Sequence, residues 1–77
     1  MEIKILENNN ILVKKNDRYF LIEKYIIAGT CYQNYAIYED IYNDLEHFIE
    51  EDNNDKYEFN VGLTSLEQCF KIIQELD

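Results

Sequence analysis

Nine carboxylates fall within the twenty positions from Glu39 to Glu58: Glu39, Asp40, Asp44, Glu46, Glu50, Glu51, Asp52, Asp55 and Glu58. Side chains of this type at this density could hold a divalent cation, act as acid and base in hydrolysis, or meet a cationic macromolecule. A calcium loop requires oxygen ligands at alternating positions, glycine at the sixth and glutamate at the twelfth. Counted from Asp52, the chain has Lys56 at the fifth position, Tyr57 at the sixth and Leu63 at the twelfth, which excludes that loop. Acid–base hydrolysis needs one carboxyl kept protonated by an apolar surround, and none of these acids has one. The electrostatic reading remains, with Glu39, Asp40, Tyr42, Asp44, Glu46, Glu50, Glu51, Asp52 and Asp55 as the expected partner-binding residues.

Other reactive side chains are few. His47 is the one histidine, and it lies among Glu46, Glu50 and Glu51, so it reads as a surface residue rather than a ligand or base, which would need orienting partners. Cys31 and Cys69 are 38 positions apart and form no Cys-x-x-Cys pair; both read as small buried hydrophobes in a reducing cytosol. With two glycines in the chain there is no phosphate-binding loop and no nucleophile elbow. No catalytic, metal or cofactor site is expected, and the chain does not read as an enzyme. Seven tyrosines cannot all find partners for their hydroxyls inside so small a core, so some are expected at the surface, where tyrosine serves binding hot spots. The alternative is that they half-cover the core as strand residues.

The net charge of −9 is unevenly distributed. Residues 1–24 carry five bases against four acids, whereas residues 25–77 carry twelve acids against Lys56 and Lys71. Such a balance disfavours direct contact with nucleic acid or an anionic membrane, because phosphates require a basic surface. Neutral or basic proteins are the expected partners. No apolar run exceeds four residues, Tyr25 to Ala28 being one, far below the roughly 18 of a membrane span. No apolar leader opens the sequence, and a cytoplasmic protein is expected. The 77 residues suffice for one core, hence a single domain over residues 1–77.

The elements that must position these groups follow from periodicity. Met1, Ile3 and Ile5 alternate with Glu2 and Lys4; Asn8-Asn9-Asn10 then supplies a turn, and Ile11 to Lys14 a second strand. After Lys15-Asn16-Asp17, the apolar run Arg18 to Ile27 reads as a central strand. Ala28-Gly29-Thr30 reverses the chain, and Gln33 to Glu39 alternates with Tyr35 and Ile37 on one face, Ala36 and Tyr38 on the other. Ile41, Leu45, Phe48 and Ile49 have the spacing of one helical stripe, ended by Asp52-Asn53-Asn54-Asp55. Tyr57, Phe59, Val61 and Leu63 give a fifth strand. Thr64-Ser65-Leu66-Glu67 predicts a capping box, and Leu66, Cys69, Phe70, Ile73 and Leu76 the buried stripe of a last helix. The expected fold is α+β, a four-to-five-stranded mainly antiparallel sheet packed by two amphipathic helices in the order β-β-β-β-α-β-α.

In size, acidity, absence of catalytic residues and an Asn/Ile/Tyr-heavy vocabulary, the chain resembles small phage-encoded inhibitors of host defence nucleases, the anti-CRISPR type. The resemblance is one of composition and brings no residue roles. It implies a stoichiometric inhibitor in host cytosol, acting on a basic nuclease or other nucleic-acid-binding effector, with carboxylates in place of phosphates as in a DNA mimic. Two alternatives stay open: an immunity protein neutralising a cationic toxin, and a structural domain or homodimer whose acidity serves solubility.

Overall fold

The computed structural model describes residues 1–42, 44–50 and 56–76, and of Glu50 the backbone alone. Its elements are β1 (Glu2–Ile5), β2 (Ile11–Lys15), β3 (Arg18–Ile26), β4 (Gln33–Asp40), α1 (Leu45–Glu50), β5 (Lys56–Leu63) and α2 (Leu66–Glu75). This is the expected α+β order, with all five strands in one antiparallel sheet, β1-β2-β3-β4-β5, and the apolar run of β3 at its centre. The expected helix-ending segment Asp52-Asn53-Asn54-Asp55 lies outside the described residues.

Turn chemistry sets the register. Asn9 and Asn16 take positive φ (68° and 56°), a region that asparagine tolerates better than other non-glycine residues. Asn8 Oδ1 accepts from the Asn10 amide at 3.0 Å, and the Leu6 amide donates to Asn10 O at 2.8 Å, closing the first hairpin. The second is tighter, pairing Lys15 with Arg18 across Asn16-Asp17. Gly29, at φ 80°, lets the chain reverse between β3 and β4.

Because side chains alternate across a strand, the sheet has two apolar faces, each covered by one helix. Ile11, Val13, Phe20, Ile22 and Ile37 lie under α2, whose Cys69 and Ile73 are fully buried against them, with Leu66, Phe70, Ile72 and Leu76 around the rim. Leu12 and Leu21 lie under α1, which inserts Phe48, fully buried, among Tyr19, Tyr38, Leu45 and Ile49. None of the described helices is long and apolar enough to cross a membrane.

Four expectations need correction. Ile41 is not on the helical stripe: Asp40 Oδ1 accepts from the Tyr42 amide at 3.0 Å in a side-chain turn, α1 begins only after Asp44, and Ile41 is 51% exposed. The α2 cap is displaced by one residue, since Ser65 is the N-cap and accepts from the Gln68 amide at 3.2 Å. Gln68 Oε1 in turn accepts from the Thr64 amide (2.8 Å) and hydroxyl (3.1 Å), so Gln68 does the work assigned to Glu67. On β5 the alternation fails at Val61, which is exposed, because two register shifts against β4 and a positive φ at Gly62 (78°) put extra residues into that strand. Cys31 is exposed in the β3–β4 loop, where there is no core to receive it, whereas Cys69 is buried as expected.

The C-terminus of α2 has no basic residue of its own. Lys15 of β2 supplies the charge from across the fold: its Nζ donates to Ile73 O (3.0 Å), Gln74 O (2.8 Å) and Leu76 O. An ammonium there satisfies orphan carbonyls and opposes the negative end of the helix dipole.

Candidate functional site

Strand alternation decides where each charge points. On β3, Leu21 faces α1, and so do Tyr19, Glu23 and Tyr25. On β4, Tyr38 faces α1, and its neighbours two residues away, Ala36 and Asp40, do the same. Glu58 pairs directly with Tyr38, and Glu2 stands opposite Lys14 on β1. With Asp44 and Glu46 at the start of α1, the α1 side of the sheet gathers Glu2, Glu23, Asp40, Asp44, Glu46 and Glu58 against Lys4, Lys14 and Lys56. Two of those lysines are engaged locally: Lys14 lies 4.0 Å from Glu2 and 5.7 Å from the Tyr19 ring centroid, and Lys56 lies 5.8 Å from that of Phe48. On the α2 side the balance reverses, with Lys15, Arg18, Lys24 and Lys71 facing Glu39, Glu67 and Glu75.

The nominated residues separate accordingly. Asp40, Asp44 and Glu46 are on the α1 side. Asp44 also builds the helix, accepting from the His47 amide through Oδ1 (3.3 Å) and from the Phe48 amide through its carbonyl (2.8 Å). Tyr42, 65% exposed, sits between β4 and α1. Glu39 points to the other side, where Arg18 grips it in a two-pronged ion pair (Nε to Oε2 2.7 Å, Nη2 to Oε1 2.8 Å) over the Phe20 ring. That hydrogen bond, followed by the Coulombic attraction of Glu39 against a desolvation cost, raises the Arg18 pKa. Glu50 lies in α1 with only its backbone described, and Glu51, Asp52 and Asp55 lie outside the described residues.

Two carboxylates absent from the nominated set, Glu23 and Glu58, flank Tyr38. Burial first, then the hydrogen bond from its hydroxyl to Glu58, then the charge of Glu23, push the Tyr38 phenol up to about 12. Tyr25 is tied down as well, its hydroxyl accepting from the Gly62 amide at 3.1 Å. A sequence signal for Glu58 existed, in its place among the nine carboxylates of Glu39 to Glu58; Glu23 needed the β3–β4 register.

The tyrosines do not make one face. Tyr32 is exposed in the β3–β4 loop, at the opposite end of the sheet from Tyr42 and Tyr57. Tyr57 stacks on Phe59 (6.4 Å, 6°) beside the ion-paired Glu39. His47 is half-buried rather than fully on the surface. Among the described residues no three His, Cys, Asp or Glu side chains converge as metal ligands. What the arrangement can do is present carboxylates, several anchored by strand or cap, at fixed spacings. No family model, no curated protein and no solved structure matches this chain.

Proposed function

We propose that the chain is a non-catalytic acidic binding protein whose α1 side meets a basic surface on another protein, and that the partner is a nucleic-acid-handling effector of the nuclease type, inhibited stoichiometrically in the cytosol. The observation that carries this reading is the segregation of charge between the two sides of the sheet. Carboxylates on strands and at a helix start hold their spacing, as phosphates do along a backbone, and a basic groove can read spacing as well as sign. The α2 side, where Glu39 is already matched by Arg18, contributes little field.

The groups with displaced pKa values also favour binding over catalysis. Tyr38 and Cys69 are both held in their neutral forms, the opposite of what an activated nucleophile requires. An immunity protein against a cationic toxin would use the same physics and differ only in partner.

The test is affinity capture from a host lysate with mass spectrometry, followed by titration of the purified partner at rising ionic strength. Affinity should fall steeply with salt. The combined variant Glu23→Gln, Asp44→Asn, Glu46→Gln and Glu58→Gln, in which Asn preserves the cap, should lose at least about tenfold in affinity. Glu67→Gln with Glu75→Gln on the α2 side should change it little. Affinity indifferent to salt, or equal losses from the two sets, would sink the proposal.

A further inference from the structure

The β1 edge carries an inference independent of the acidic face. Glu2–Ile5 is exposed at every position, and Met1, Ile3 and Ile5 leave apolar side chains 50%, 52% and 69% exposed on the α2 side of the sheet. The opposite edge, β5, is blunted by two register shifts and by Gly62. On β1 the pairing is regular over all four residues, with neither bulge nor proline.

Its outward hydrogen-bonding groups can be assigned. The Leu6 amide donates to Asn10 O, so Leu6–Asn10 is a bonded pair, and bonded pairs alternate along an antiparallel ladder. Lys4 and Glu2 therefore bond to β2, while Ile3 and Ile5 turn their N–H and C=O outward to the free edge.

We infer that the β1 edge pairs antiparallel with the same edge of a second copy of this chain, in the register that places Ile3 against Ile3 and Glu2 against Lys4. Charge selects both occupant and register. Centring the two-fold on Ile3 sets each Glu2 opposite the other copy's Lys4, twice, and each Met1 opposite Ile5. Sliding by one pair in either direction sets Lys4 against Lys4 or Glu2 against Glu2, and like charges directly opposed are destabilising. A slip of a single residue would put the isoleucines on the wrong side of the partner's sheet. The edge also belongs to residues 1–24, whose five bases and four acids nearly cancel, so two copies can meet there away from the crowded acids of the second half. The product is a continuous ten-stranded sheet, two copies of the five-stranded one.

The contact is short, so the dimer should be weak and is best sought by sedimentation equilibrium from about 10 μM to about 1 mM, as suits an interface well under about 1,200 Å². The mass should rise with concentration from 9.3 kDa towards twice that value. In step with it, the Ile3 and Ile5 amides of the unaltered chain should gain protection from hydrogen exchange, while Lys4, already bonded to β2, should not. Lys4→Glu and Glu2→Lys should each weaken self-association about tenfold or more, yet associate with each other when mixed, because every cross-pair is then of opposite sign. A monomer throughout the range, unchanged exchange at Ile3 and Ile5, or no recovery on mixing two folded variants would each overturn the inference.

Discussion

Replacing Lys15 with methionine removes one ammonium and keeps most of the apolar stem. In the fold that ammonium meets Ile73 O at 3.0 Å, Gln74 O at 2.8 Å and Leu76 O, the carbonyls that close the last turn of α2. A hydrogen bond to a charged group contributes about 1.5–3 kcal/mol when shielded, and a charge at an exposed helix end about 0.3–1 kcal/mol. Lys15 is half-buried and its bond to Gln74 is exposed, so solvent screening places the loss between these limits, at about 1–2 kcal/mol. For a domain of this length each kcal/mol moves the melting temperature by about 4–8 °C, so Lys15→Met should melt about 5–15 °C lower by circular dichroism. Lys14→Met is the control, since its Nζ makes a long contact with Glu2 at 4.0 Å, side chains 40% and 80% exposed, and lies 5.7 Å from the Tyr19 ring centroid, with no helix carbonyl among its partners in the described residues. Its cost should stay below about 0.5 kcal/mol. Equal melting temperatures for the two variants would refute the claim that Lys15 closes α2.

Ser65→Ala should cost about 1 kcal/mol in urea denaturation and Glu67→Gln almost nothing, because Ser65 is the cap, accepting from the Gln68 amide, and it is the Gln68 side chain that accepts from the Thr64 amide. Phe48→Ala, which empties the fully buried anchor of α1, should cost about 3–5 kcal/mol, against a negligible change for the exposed Ile41→Ala. Burial pushes the Cys69 thiol up to about 11 from its ordinary value of 9.0, so the folded chain holds that proton more tightly than the unfolded chain. The associated stability is complete below pH 9 and is lost as pH rises from 9 towards about 11, followed by the Tyr38 contribution between 10.0 and about 12. Urea midpoints measured across that range should fall, and Cys69→Ala should remove the earlier part of the fall.

Element order and the central place of β3 were legible because β1 and β4 alternate, β3 is a long apolar run suited to a strand covered on both faces, and the turns between the first four strands carry Asn, Asp or Gly. The start of α1 was not, since Ile41 fits the helical spacing while the Asp40 side-chain turn and the Asp44 cap start the helix after it. The α2 cap was ambiguous because Thr64 and Ser65 both suit the position, and the Gln68 side chain decides between them. For the acidic face the sequence named a segment, whereas alternation divides that segment: Glu39 and Asp40 are adjacent and point to opposite sides. Glu23, 35 positions before Glu58, joins the face through strand pairing alone. Lys15 was equally hidden, because it and its acceptors lie at opposite ends of the chain.

The claim that one side of the sheet carries the negative field is tested most directly by amide paramagnetic relaxation with a cationic and an anionic nitroxide of equal size. The ratio of cationic to anionic broadening should be clearly higher at Glu23, Asp44, Glu46 and Glu58 than at Glu67, Lys71 and Glu75 across the sheet. Equal ratios on the two sides would contradict it.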